Sequence, residues 1–187
     1  MKSFNALAVT AAAGLGCLAG ALAFGQPEKA KPVLAPEMKL PKGWTPEDMQ
    51  ACMMAGVPGK QHQFLARQVG SWHGKQKMWM TPDSEAMARE CTTTLSTIMD
   101  GRFTKLETIG EIPGMGPFNG FAIAGYDNVS QKFVSSWIDN HGTGIMQGTG
   151  ELSADGKTLT WTYAFNCPLT KKPAVMREVE TITGPNS

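Results

Sequence analysis

From Gly70 onward, short runs rich in Thr, Val, Ile and aromatic residues are interrupted every few residues by Gly, Asp, Asn or Pro. That punctuation restricts the chain to short antiparallel strands joined by tight turns, because each interrupter supplies a conformation or a backbone bond that ends a strand. Eight strands are predicted: Trp72–Met80, Met87–Met99, Arg102–Ile109, Phe118–Tyr126, Phe133–Ile138, Ile145–Leu152, Thr158–Asn166 and Val175–Ile182. The turns between them include Asp100-Gly101, Asp127-Asn128, Asp139-Asn140 and Asp155-Gly156. Strands in such a series form an up-and-down antiparallel sheet, and rolling it into a barrel removes its exposed edges. With 18% charged residues and 21 glycines, the composition points the same way, towards a mainly β, turn-rich domain.

One or two short helices precede the sheet. Thr45 is placed to cap, Pro46 suits the first helical position, and Glu47 and Asp48 favour the positive end of the helix dipole. Met49, Cys52 and Met53 share one face, and Gly56 and Pro58 end the helix. A second helix is expected from Lys60 to Val69, with Phe64, Leu65 and Val69 apolar. The resulting division is a leader over 1–23, a Pro/Lys-rich linker over 24–43, a helical segment over 44–69 and a β domain over 70–187.

The leader reads as a secretory signal: Lys2 at its start, an uncharged stretch from Ala6 to Leu22, and Ala21-Leu22-Ala23 at the cleavage site. The expectation is a periplasmic or extracellular protein with no membrane span. A rival reading anchors a lipid at Cys17, after Gly14-Leu15-Gly16. Loss of Lys2 leaves 16 basic and 16 acidic residues, so the remaining chain is neutral and has no field for nucleic acid. Cys52, Cys91 and Cys167 would remain. Export permits a disulfide, for which Cys91 and Cys167 are the candidate pair; three buried free thiols are the other reading.

Four short patterns occur in order: Gly70-Ser71-Trp72, Gly101-Arg102-Phe103, Gly125-Tyr126-Asp127-Asn128 and Trp137-Ile138-Asp139. Together they resemble the bacterial family catalogued as domain of unknown function 1579, over His62 to Thr183. The resemblance implies a lipocalin/calycin-like barrel. Such domains usually continue through about two further strands, so either this form is shortened, which would leave an unpaired edge, or the sequence is a fragment. Gly70-Ser71-Trp72-His73-Gly74 is also similar to the opening of nitrobindin-type haem barrels. Gln76 stands where those have another glycine, and no histidine follows His141. No cofactor is predicted, and His62, His73 and His141 lack metal-ligand spacing.

Candidate ligand-binding residues are Trp72, Arg102, Phe121, Tyr126, Trp137 and Trp161. The expectation is an interior lined by Met78, Met99, Phe121, Ile123, Phe133, Trp137, Met146, Trp161 and Phe165, holding one small apolar or amphipathic molecule. The alternatives are a structural or interaction module with an envelope protein as partner, and an enzyme using the rim carboxylates Glu107, Glu111, Asp127 and Asp139. No nucleophile elbow, phosphate loop or His-Glu-x-x-His motif supports catalysis.

Overall fold

The structure is a computed structural model and describes residues 7–10, 39–79 and 83–184. Apart from Leu7–Thr10 the expected leader lies outside them, as do Cys17 and the linker up to residue 38. Two helices come first, α1 (Pro46–Ala55) and α2 (Lys60–Ala66). The Thr45 side chain accepts from Asp48 N at 3.2 Å and Asp48 Oδ2 accepts from Thr45 N at 2.9 Å, which gives α1 a complete capping box.

The strands are β1 (Leu7–Thr10), β2 (Gly70–Met78), β3 (Met87–Ile98), β4 (Phe103–Ile112), β5 (Gly116–Asp127), β6 (Lys132–Asp139), β7 (Met146–Leu152), β8 (Thr158–Asn166) and β9 (Pro173–Thr181). Eight of them, β2 to β9, run up and down, each antiparallel to the next, and curl into a half-barrel consistent with a lipocalin-like fold. The backbone of β1 lies between the two edges, antiparallel to β2 and parallel to β9.

Strand alternation decides what faces the concave side. Buried or half-buried positions recur at Gly74 and Gln76, Cys91 and Thr93, Thr104 and Thr108, Phe118 and Ala122, Phe133 and Ser135, and Leu159, Trp161 and Tyr163. The core cluster is Leu65, Phe133, Leu159, Trp161 and Tyr163, so α2 stoppers one end of the half-barrel. Phe64 meets Phe133 edge-on at 5.9 Å, and His62 meets Tyr126 at 5.9 Å.

Three residues expected inside lie elsewhere. Met99 has φ +51° and sits in the β3–β4 turn, 68% exposed. Phe121 and Ile123 are in the opposite phase of β5 from Phe118, Ala122 and Tyr126, and so face outward. The expected Cys91–Cys167 bridge is not formed, and both are free, buried thiols. Cys91 points inward from the middle of β3, whereas Cys167 lies in the β8–β9 turn, where Thr170 hydrogen-bonds its thiol and holds it below the usual thiol range.

Candidate functional site

The concave face is paved by aromatic rings lying over glycines. A Cβ on Gly120 would sit 2.3 Å from the Trp137 ring, one on Gly148 2.5 Å from Tyr163, and one on Gly150 2.8 Å from Trp161. Glycine inside a strand is conformationally costly, and here the missing side chain is what lets each ring lie flat across a neighbouring strand. Trp161 meets Phe133 edge-on at 6.3 Å and Tyr163 at 5.9 Å, while Trp137 packs against the same cluster.

Polar groups interrupt this surface in two places. On one wall, Glu178 and Glu180 project from β9 in the same phase as Met176. Trp161 Nε1 donates to Glu180 Oε1 at 3.2 Å, and the Tyr163 hydroxyl donates to Ser135 Oγ at 3.3 Å. Loss of water, and for Glu178 also the neighbouring Glu180 charge, pushes both carboxyls up, to about 8 for Glu178 and about 7 for Glu180. Burial, then the Glu178 charge, raises the Tyr163 hydroxyl further above its ordinary value.

On the other wall, Arg89 shares the phase of Cys91 on β3. Its guanidinium lies over the Phe118 ring, 4.1 Å from the centroid, and Nε donates to Gln76 Oε1. Burial lowers its pKa, opposed by the charges of Cys91 and Asp139. The same burial raises the Cys91 thiol.

The residues expected to form the site separate into two groups. Trp72, Tyr126, Trp137 and Trp161 all face the concave side, with Trp72 tied by Nε1 to Gln68 O at 2.8 Å and Trp137 by Nε1 to Asp139 Oδ2 at 2.9 Å. Phe121 borders an open depression of about 430 Å³, lined mostly by outward-facing residues such as Glu107, Ile109 and Ile138. Arg102 is outside the half-barrel as well. Its Nε donates to Gly56 O at 3.0 Å, while Asn128 Nδ2 donates to Ala55 O and Val57 O at 2.9 Å each. Arg102 and Asn128 therefore take three successive carbonyls at the end of α1 and fasten the helical segment to the sheet. Phe103 covers Gly125, where a Cβ would meet its ring at 2.6 Å.

Three of the acids considered for catalysis have local partners. Glu107 pairs with Lys105 at 2.8 Å, Asp127 accepts from Val129 N and Ser130 within its own turn, and Asp139 accepts from Trp137 and His141. Among the described residues, no three His, Cys, Asp or Glu are grouped to hold a metal, and no helix is long and apolar enough to cross a membrane.

Sequence reasoning missed Gln76, Arg89, Glu178 and Glu180. Arg89 carried a readable signal, since it shares strand parity with Met87 and Cys91. Glu178 and Glu180 did not, because Val175 and Val179 make the opposite phase of that strand look equally buried.

No curated protein and no solved structure matches the chain. The family described as "Protein of unknown function (DUF1579)" matches residues 57–187. That stretch takes in α2, all eight strands of the half-barrel and the Arg102 and Asn128 clamps, and the chain belongs to this family.

Proposed function

We propose that the half-barrel binds one small amphipathic molecule across its concave face. The observation that carries this reading is the pairing of an aromatic pavement with half-buried ionisable groups, of which Arg89 keeps a buried Nη1 with no hydrogen-bond partner. Arg89 sits on one wall, and Glu178 and Glu180 sit on the other. Burying a charge without a partner costs free energy, and a ligand carrying polar and apolar parts would supply what the interior lacks. Trp137 and Trp161 would report binding through their fluorescence. Native mass spectrometry of protein purified from its own host, with an absorbance spectrum, tests the reading together with a fluorescence titration against amphiphiles. A retained adduct, or saturable quenching, supports it. A bare mass combined with flat emission across cationic, anionic and neutral amphiphiles refutes it.

We further propose that the chain is exported and that residues 1–23 are removed, which N-terminal sequencing of the protein from its host would check. Removal would take β1 from between β2 and β9 and open both edges. A second reading follows from the convex face, where Ile109, Ile123 and Ile138 are 58%, 39% and 46% exposed beside Phe121. These form an apolar strip suited to an envelope protein partner. On that reading, glutamate at Ile109 and Ile138 abolishes recovery of the complex, and unchanged recovery refutes it.

A further inference from the structure

Arg89 has a donor that its own surroundings leave unmet. Phe118, on which its guanidinium rests, is buried and stacked on Trp137 at 6.2 Å and on His141 at 5.8 Å. Gln76, which accepts from Nε, is only 5% exposed. The plane of the guanidinium is thus held from two sides. Nη1 is buried and has no hydrogen-bond partner. Among the described residues, no carboxylate lies within ion-pair distance of Arg89. Asp139, whose charge reaches it, commits Oδ2 to Trp137 Nε1 and Oδ1 to His141 N, at 2.9 Å each.

An arginine side chain keeps its proton, so a buried N–H on it must find an acceptor or bear the cost of lost hydration. The planar fork of guanidinium matches a carboxylate. From Phe118 ring contact leads to Trp137, which packs against the core cluster that holds Phe133 and Trp161. We propose that Arg89 anchors the head of an amphipathic monocarboxylate whose apolar chain lies along these rings. This rests on the reading of the concave face as a ligand site and adds to it the charge, the anchor and the direction of the ligand. A single guanidinium flanked by the neutral Gln76 suits one negative charge rather than a phosphate dianion.

The test compares dodecanoate with dodecanol, binding to the full protein being followed by calorimetry and tryptophan emission. A charge-assisted hydrogen bond to a buried guanidinium is expected to favour dodecanoate by about ten- to a hundredfold. Arg89→Gln should remove that preference, while Arg89→Lys keeps part of it. Near-ultraviolet circular dichroism of both variants establishes that the fold is retained. If both amphiphiles bind wild type and Arg89→Gln equally well, the anchor is refuted and the binding reading stands. If neither binds wild type, the anchor is refuted, and the titration with cationic amphiphiles together with the native mass decides whether the binding reading falls with it.

Discussion

Gly148 is the position where the pavement of the concave face can be tested most directly. A methyl group there would lie 2.5 Å from Tyr163 Cε1, 2.8 Å from Cδ1 and 3.0 Å from Cζ. Ordinary carbon–carbon contact needs about 3.5–4 Å, so the ring has to retreat by roughly 1 Å. Tyr163 has little room to do so, since it is 6% exposed and packed against Trp161. Forcing extra volume into a filled core costs about 1–3 kcal/mol. Moving the ring also lengthens the hydroxyl bond to Ser135, a contact worth about 0.5–1.5 kcal/mol net. Against this, alanine restricts the unfolded chain relative to glycine and returns about 0.4–1 kcal/mol. Gly148→Ala is therefore expected to lose about 2 kcal/mol, or about 4–8 °C in Tm for a chain of this size. Gly144→Ala is the control, because a Cβ there meets nothing within 4 Å. Differential scanning calorimetry of the two variants decides the matter. Equal melting temperatures would show that the Tyr163 ring does not lie over Gly148. A Gly148→Ala/Tyr163→Leu double variant less destabilised than the sum of the two single changes would locate the loss in that contact.

Three further outcomes are expected. Glu178 and Glu180 titrate higher in the folded protein than their ordinary value of 4.5, so the folded state holds more protons between about pH 4.5 and 8. Stability should therefore fall as pH rises through that window, by several kcal/mol at most, roughly. The double change to glutamine should flatten the curve of denaturation midpoint against pH, and an unaltered slope would contradict the assignment. Asn128→Ala removes both bonds to the end of α1 and should cost about 1–3 kcal/mol. Amide exchange over 46–58 should quicken more than over β8, and uniform exchange would refute the clamp. Cys52 should react with a thiol reagent in the native protein, with Cys91 and Cys167 reacting only after unfolding. Rapid native labelling of either buried thiol, or failure of both to label when unfolded, would overturn the free, buried assignment.

Much of the architecture was written in local chemistry. The Asp100-Gly101, Asp127-Asn128 and Asp155-Gly156 turns and the β-branched runs between them located the strands, because a turn's demand for left-handed or side-chain-bonded backbone is met by few residue types. Thr45, Pro46 and Asp48 announced the start of α1 for the same reason. The outcome for β5 depended on more than its own residues. Phe118, Ala122 and Tyr126 in one phase and Phe121 and Ile123 in the other are equally apolar, so alternation alone left open which set turns inward. The glycines Gly120, Gly148 and Gly150 settled it in three dimensions, since each lies under a ring brought from a neighbouring strand. The same limit applied to Arg102, a ligand candidate, and to Asn128, a turn residue. Only the packing of α1 against the sheet set them on the carbonyls of Ala55, Gly56 and Val57. Local sequence determined the elements and their order. Which charges met partners, and which, like Arg89, did not, was decided by contacts between residues far apart in the chain.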